Sequence, residues 1–132
     1  MALKNLTALT KEAKMLTDRD SLAMWIRSQS KYAPKDQIIR DMSKFVPGCE
    51  HPTWLDYTLT ERGISFTIST EGSDSQGVAG IVVQALSGMT AREIRSVDFS
   101  EFRDIARYLN NRQQRTLNAI LNKIKNIIGD SK

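Results

Sequence analysis

The segment 45–54, FVPGCEHPTW, separates two kinds of hydrophobic pattern and so constrains the fold more than any other part of the chain. Apolar residues before it recur at the three- and four-residue spacings of helices, whereas those just after it alternate as in a β-strand. Its two prolines fix φ and remove two N–H donors, and Gly48 permits a tight turn. It also holds the only cysteine, Cys49, and the only histidine, His51. We therefore expect helices, then a stiff loop that presents a thiol, then a hairpin.

Three helices are predicted before the loop. The first covers 2–15, and the second begins after an N-cap within Thr17-Asp18. Proline suits the first turn of a helix, so a third is predicted from Pro34 until Pro47 ends it. The apolar stripes are, for the first helix, Leu3, Leu6, Leu9, Ala13 and Leu16; for the second, Leu22, Trp25 and Ile26; and for the third, Ile38, Ile39, Met42 and Phe45.

After the loop, a β-hairpin is predicted with its turn at 60–63. Its apolar residues are Trp54, Tyr57 and Leu59 on the first strand and Ile64, Phe66 and Ile68 on the second. A lone two-stranded ribbon is only marginally stable in water, so its apolar face needs a cover that only the helices can provide. The predicted fold class is therefore α+β, with helices packed on one side of a small antiparallel sheet.

The segment 75–86 is almost wholly apolar, which predicts a central, buried helix. Ser73 or Asp74 is the predicted N-cap. Gly77 and Gly80 each cost about 1 kcal/mol in a helix relative to alanine, so we expect them to allow close contact with the hairpin. A phosphate-binding loop is set aside because the glycine spacing fits neither the dinucleotide nor the P-loop pattern.

Three further helices are predicted after this one. Thr90–Glu93 has the form of a capping box and opens a helix that runs to Val97, and 98–101 has the same form. Asn110-Asn111 then separates the sixth predicted helix from the last, which Gly129 ends. The inward residues are Phe102, Ile105 and Leu109, followed in the last helix by Leu117, Ile120, Leu121, Ile124, Ile127 and Ile128.

The composition fits one domain over residues 1–132, with 40% hydrophobic and 26% charged residues. A single cysteine cannot form an internal disulfide, so we expect a reducing cytoplasm, and no apolar run approaches the length needed to span a membrane. The net charge is +4, with basic residues towards both ends and acidic residues between them. Because the basic residues are spread over several helices, a solvated surface is favoured over nucleic-acid binding.

Cys49 has two interpretations. A lone cysteine is often a small buried hydrophobe, but this one lies on a loop between Gly48 and Glu50, where reactive groups concentrate. His51 lies two residues away and could act as a base, although a surface histidine beside a turn is the favoured interpretation. One cysteine and one histidine cannot complete a zinc shell unless carboxylates or a second chain supply ligands, so no metal is expected.

The segments VPGCEHPTW, SDSQGVAGI and LSGMTAREI decide between these interpretations, because together they resemble the SufE-like sulfur-acceptor family. The family pattern is roughly VPGC-x-S-x-VW, SDA-x-IV-x-GL and YSG-x-TP-x-EI, and the resemblance covers about residues 45–97. The matching residues are Val46, Pro47, Gly48, Cys49, Trp54, Ser73, Asp74, Val78, Gly80, Ser87, Gly88, Thr90, Glu93 and Ile94.

The resemblance implies a SufE/IscU-like fold and makes Cys49 the cysteine that accepts persulfide sulfur. The donor would be a cysteine desulfurase, which is a pyridoxal-phosphate enzyme, and the recipient a scaffold for iron–sulfur cluster assembly. Such a protein is a sulfur carrier and desulfurase activator rather than an independent enzyme, with no cofactor, nucleic acid or membrane of its own. A non-catalytic adaptor that docks on a desulfurase or another protein is the alternative function.

Several positions depart from the family pattern. His51 replaces a serine, and Pro52 after it stiffens the loop. Aligned on Leu117, the C-terminal arginine of the family falls on Gln113, with Arg112 adjacent. We assign loop support to Pro47, Gly48, His51 and Trp54, and a structural or docking role to Asp74 and Arg112.

The apolar flanks Val46 and Trp54 predict that the loop folds down onto the domain, since each buried side chain of this kind stabilises by roughly 1.5–3 kcal/mol. The Cys49 thiol would then be partly shielded, with a raised pKa, until a partner opens the loop. Because the loop would move about Gly48, Gly48→Ala is expected to slow the opening.

Overall fold

The computed structural model of the protein describes residues 6–33, 42–49, 51–97 and 101–129. The described chain forms six α-helices, two strands and two short 3-10 helices, which confirms the α+β class. In chain order these are α1 (Leu6–Lys14), α2 (Arg19–Ser28), 3-10 helices at Gln29–Tyr32 and Met42–Lys44, β1 (Thr53–Leu59), β2 (Ile64–Thr70), α3 (Ser73–Leu86), α4 (Ala91–Ser96), α5 (Glu101–Ala106) and α6 (Asn111–Gly129).

The two strands form an antiparallel hairpin in which Thr53 pairs with Thr70 and Leu59 with Ile64. The inward face of β2 is buried as expected. On β1 the prediction was wrong, because Leu55 is the buried apolar residue, whereas Leu59 is 72% exposed. Trp54 is out of phase with Tyr57 and Leu59, so the alternation of side chains places it on the opposite face of the sheet.

Helix α3 lies at the centre of the molecule and is buried from Ser75 to Leu86. It packs against β2, α2, the 3-10 helix after α2, and α6. Its glycines do allow a close approach of another element. The sequence predicted that this element is the hairpin, and that prediction was wrong. A methyl group on Gly77 would collide with the Ile26 carbonyl, and one on Gly80 with the Gln29 carbonyl. The glycines therefore seat α3 against the N-terminal helices.

The start of α3 also differs from the prediction. Gly72 is the N-cap, and no side chain caps the helix. Asp74 instead lies in the first turn, where its carboxylate accepts a 2.7 Å hydrogen bond from Arg27 Nε. The helix begins earlier than expected, so neither Ser73 nor Asp74 occupies the cap position. A carboxylate in the first turn is still favoured by the helix dipole.

Gln76 joins α3 to the outer edge of β2. Its Oε1 accepts a 2.8 Å hydrogen bond from Thr70 N, and its Nε2 donates to the Ile68 carbonyl at 3.0 Å and to the Ala33 carbonyl. Strand edges leave backbone groups unpaired, and buried groups of this kind must find partners. One glutamine side chain therefore satisfies the edge that faces α3.

The N-terminal region agrees with the sequence as far as it is described. Asp18 caps α2 by accepting a hydrogen bond from Ser21 N at 2.8 Å. Most of the predicted third helix lies at 34–41, outside the described residues. Met42 begins a short 3-10 helix and is largely exposed, and Phe45 then pairs with Trp54. The predicted third helix therefore does not continue as an α-helix up to the loop.

The C-terminal helices follow the prediction closely. Thr90 and Glu93 form the expected capping box. Residues 98–100 lie outside the described residues, but α5 begins at Glu101, and its predicted inward residues are buried, as is most of the α6 stripe. Asn110 separates α5 from α6 and caps α6 by exchanging two hydrogen bonds with Gln113. None of the described helices is both long and apolar enough to cross a membrane.

Candidate functional site

The loop around Cys49 is closed by strand-like pairing at its base. Val46 N donates a 2.8 Å hydrogen bond to the Thr53 carbonyl, and Phe45 and Trp54 form the next bridge outward. Their rings meet edge to face, with centroids 6.2 Å apart at an interplanar angle of 72°. The base of the loop is therefore an extension of β1, which fixes where the loop leaves the sheet.

The loop folds down onto the body of the protein, as the apolar flanks predicted. Val46 is buried, and Gly48 turns the chain with a φ of +92°. A Cβ atom on Gly48 would lie 3.6 Å from the Cβ of Ala119, so the tip of the loop rests on α6. Trp54, half-buried on the outer face of the sheet, supports the base of the loop rather than its tip.

The Cys49 side chain is a free thiol. It is half-buried and packs against the hydrophobic core. Burial raises its pKa above the ordinary value because an apolar environment disfavours the thiolate. The hydroxyl groups of Thr53 and Thr116 act in the opposite direction and stabilise the charged sulfur. The partial shielding expected from the sequence is confirmed, and the raised pKa lowers the thiolate fraction at a given pH.

Three buried threonines belong to the elements around this position, and sequence reasoning missed all three. Thr53 and Thr70 face each other across the hairpin, and Thr116 lies on α6. The Thr53 hydroxyl donates a 3.0 Å hydrogen bond to the His51 carbonyl. The spacing held a signal for Thr116, because it precedes Ile120 by four residues and so falls on the apolar stripe of α6. A polar residue on an otherwise apolar stripe indicates a candidate functional position.

His51 does not act on the sulfur. Its ring lies over Gly72, where a Cβ atom would come within 2.7 Å of the ring carbon Cδ2. The favoured interpretation, a surface histidine beside a turn, agrees with its exposure. The structure thus gives the thiol no histidine base of the kind that cysteine proteases use.

His51 instead shares a small cleft with the other two residues singled out from the sequence, Asp74 and Arg112. The cleft has a volume of 120 Å³ and is completed by Ser75, Asn110 and Gln113. It lies beside the loop at the N-terminal ends of α3 and α6, and Cys49 does not line it. Three residues that the sequence analysis assigned roles to, His51, Asp74 and Arg112, therefore line one cleft although they come from distant segments.

The cleft adjoins a larger open groove of 660 Å³, which shares Asp74, Asn110 and Gln113 with it. Further along, this groove is lined by Arg19, Arg27 and Arg107. We call the cleft and groove together the arginine groove. Gln113, at the position of the family arginine, is buried and occupied in capping α6. Arginine side chains therefore reach this surface from other positions.

No cluster of three or more His, Cys, Asp or Glu suited to a metal ion occurs within 6–33, 42–49, 51–97 and 101–129.

Comparison with known proteins connects this site to a family. The sequence model of SufE, described as an Fe-S metabolism associated domain, matches residues 7–128. The sulfur acceptor protein CsdE of Escherichia coli strain K12 is 32% identical over 59 residues, which are 44% of this chain and 40% of that protein. The alignment thus spans less than half of that relative's length.

A solved structure has the same fold. The solution structure of a hypothetical protein from Thermus thermophilus superposes with a TM-score of 0.76, covering 98% of this chain and 97% of the other at 13% sequence identity. At this identity the likeness concerns the fold alone.

Proposed function

The chain belongs to the SufE family, and from this membership we propose that it is a sulfur acceptor in which Cys49 takes sulfur from the persulfide of a cysteine desulfurase. The observation that carries the proposal is the position of the thiol. It is half-buried on a loop that rests on α6, and His51 of the same loop lines the arginine groove. The name of the E. coli relative, a sulfur acceptor, supports the same chemistry.

The reaction needs a single nucleophile. The Cys49 thiolate attacks the terminal sulfur of the donor persulfide, and a new S–S bond forms on Cys49 as the donor S–S bond breaks. The donor cysteine leaves with the electron pair and takes up the proton that Cys49 lost. The products are a Cys49 persulfide and a donor thiol, so no oxidant or reductant is consumed. A thiol without a histidine base suits a carrier of this kind better than a hydrolase.

The desulfurase benefits because the transfer clears the persulfide that otherwise blocks its active-site cysteine. We propose that the loop and the arginine groove together form the docking surface, with Arg112 and Asp74 at its boundary with the loop. Arginines at such a surface would attract a partner with acidic groups. The sulfur would then pass to a scaffold for iron–sulfur cluster assembly. A thiol that must remain reduced between transfers fits the cytoplasm.

The test is the intact mass of the protein after incubation with an active cysteine desulfurase and cysteine. We expect a gain of one sulfur atom in the wild-type protein and none in Cys49→Ser. Treatment with a thiol reductant should reverse the gain. An unchanged wild-type mass, with the desulfurase shown to release alanine, would contradict the proposal. A Cys49→Ser protein that stimulates the desulfurase as well as the wild type would instead support the adaptor function.

A further inference from the structure

The hydroxyl group of Thr116 is buried and makes no hydrogen bond that stabilises the described part of the fold. Only 1% of this residue is exposed, and its Oγ1 has no hydrogen-bond partner of normal geometry in the described chain. A buried hydroxyl that gives up its water contacts without a partner lowers stability, so such groups are rare and call for an explanation. Its neighbour on the next turn of α6, Ala119, is the residue on which Gly48 rests. Thr116 therefore lies on the helix face that the Cys49 loop covers.

The surrounding groups leave the sulfur as the natural partner of this hydroxyl. Thr53, the other residue whose hydroxyl acts on Cys49, already donates its hydrogen to the His51 carbonyl. A threonine hydroxyl has one hydrogen to donate and can rotate to direct it. Of the two hydroxyl groups that act on Cys49, Thr116 is thus the one whose hydrogen remains uncommitted within the described residues. Its stabilising action on the charged sulfur agrees with this placement.

We propose that the Thr116 hydroxyl is the binding group for negatively charged sulfur at Cys49. It donates a hydrogen bond to the thiolate before sulfur transfer and to the terminal sulfur of the persulfide afterwards. The second half rests on the proposed sulfur-acceptor function; the first does not. A fixed donor aimed at a position where charge develops stabilises that charge most effectively where water is excluded, as it is at this buried residue.

Within the part of the chain that the structure describes, the charged groups of the surrounding elements do not take this role. On the loop itself, the His51 ring lies over Gly72. On α3 and α6, Asp74 and Arg112 line the cleft, which Cys49 does not line. On β1, Asp56 pairs with Lys44 at 3.3 Å. None of these groups is among those that shift the pKa of Cys49.

The test is the pH profile of Cys49 alkylation by iodoacetamide in Thr116→Val, which keeps the shape of the side chain and removes the hydroxyl. A hydrogen bond to a charged group corresponds to a shift of about one pH unit, so the midpoint should rise by about one unit and the rate near neutral pH should fall about tenfold. Thr116→Ser should restore the wild-type profile. An unchanged midpoint in folded Thr116→Val would overturn the proposal.

Thr70→Val is the matched control. Its Oγ1 is also buried and without a partner in the described residues, but the group is not among those that act on the sulfur. This variant should leave the alkylation midpoint unchanged. An equal shift in Thr70→Val and Thr116→Val would mean that loosened packing, and not a specific hydrogen bond, moves the pKa of Cys49.

The persulfide half is tested without a desulfurase, by loading Cys49 with sodium tetrasulfide. The thiolate takes one sulfur atom, and the polysulfide dianion leaves one atom shorter. We expect Thr116→Val to raise the midpoint for alkylation of the persulfide as well. A shift for the thiol alone would show that the terminal sulfur does not reach the hydroxyl. Because no donor enzyme is present, either result is independent of the outcome of the desulfurase experiment.

A measurement on the wild-type protein decides the case in which Thr116→Val does not fold. In protein with labelled threonine methyl groups, the Thr116 signal should titrate together with the Cys49 thiol and move again when the persulfide forms. The Thr70 signal should do neither. A Thr116 signal that changes neither with the titration of Cys49 nor with persulfide formation would overturn the proposal.

Discussion

At the scale of single residues, Cys49 experiences two opposing influences. Its position against the core raises the pKa, and the threonine hydroxyls lower it. A carrier needs both, because a fully exposed thiolate would be oxidised between transfers and a fully buried thiol would not react. The balance is set by residues that come from β1 and α6 rather than by the loop alone. The loop provides the Cys49 thiol, and the neighbouring residues on β1 and α6 set the reactivity of that thiol.

Gly48 gives a prediction at this scale, and its direction reverses the one drawn from the sequence. Its φ of +92° is unfavourable for any residue with a Cβ atom, although among the described residues a methyl group there would meet only Ala119, at an ordinary distance. Gly48→Ala should therefore destabilise the closed loop by about 1–2 kcal/mol. Opening should become easier and not slower, so the alkylation rate of Cys49 at a fixed pH should increase.

Gly88→Ala is the control for this experiment. Gly88 has the same φ of +92° and open space around it, but it lies beyond α3 and away from the thiol. Both substitutions should lower the free energy of unfolding by similar amounts, measured in urea. Only Gly48→Ala should change the alkylation rate. If Gly48→Ala slowed alkylation, the slower loop opening predicted from the sequence would be correct.

At the scale of elements, the contact between α3 and the 3-10 helix after α2 determines how the N-terminal part attaches. In an ordinary helix, glycine to alanine stabilises by about 1 kcal/mol. Gly80→Ala should do the opposite, because the methyl group would meet the backbone carbonyl of Gln29, which cannot move as a side chain could. We expect a loss of about 2 kcal/mol or more in the free energy of unfolding.

The matched substitution is Gly129→Ala at the end of α6, where no described residue lies within 4 Å of the new methyl group. This variant should be neutral or slightly stabilised in the same urea titration. A Gly80→Ala protein as stable as Gly129→Ala would show that α2 and the 3-10 helix can separate from α3 without cost.

At the scale of the whole molecule, the arginine groove meets the Cys49 loop at His51, which lines the cleft. Its arginines come from α2, from the segment after α5 and from α6. Arg112→Glu reverses a charge in the cleft that His51 also lines, so it should slow sulfur transfer from the desulfurase about tenfold at low salt. The difference from the wild type should shrink as salt screens the interaction. The measurement is the initial rate of Cys49 persulfide formation at several salt concentrations.

Arg92→Glu makes the same charge change on α4, outside the arginine groove, and should leave the rate within about twofold, as expected of an exposed charge away from the docking surface. Equal rates for the two variants at low salt would remove Arg112 from the docking surface. Alkylation of Cys49 by iodoacetamide should be the same in both proteins, which separates docking from thiol reactivity.

The sequence by itself determined the features that depend on local chemistry. The change of hydrophobic period located the hairpin, the capping residues located α2 and α4, and the apolar run identified α3 as the central helix. These succeed because a cap or a stripe is decided by residues a few positions apart. The segment around Cys49, with its resemblance to the SufE-like family, likewise identified the candidate thiol and the family.

Tertiary structure decided everything that depends on distant segments. Trp54 faces away from the core because the hairpin turns Leu55 inward instead, and Gly80 is required by a carbonyl from the 3-10 helix after α2. Asp74 pairs with Arg27 rather than capping, and Thr53 and Thr116 both lower the pKa of the Cys49 thiol although they are far apart in sequence. Packing brings such pairs together, and no short pattern encodes it. The reactivity of Cys49 was therefore fixed only when α6 folded against the loop.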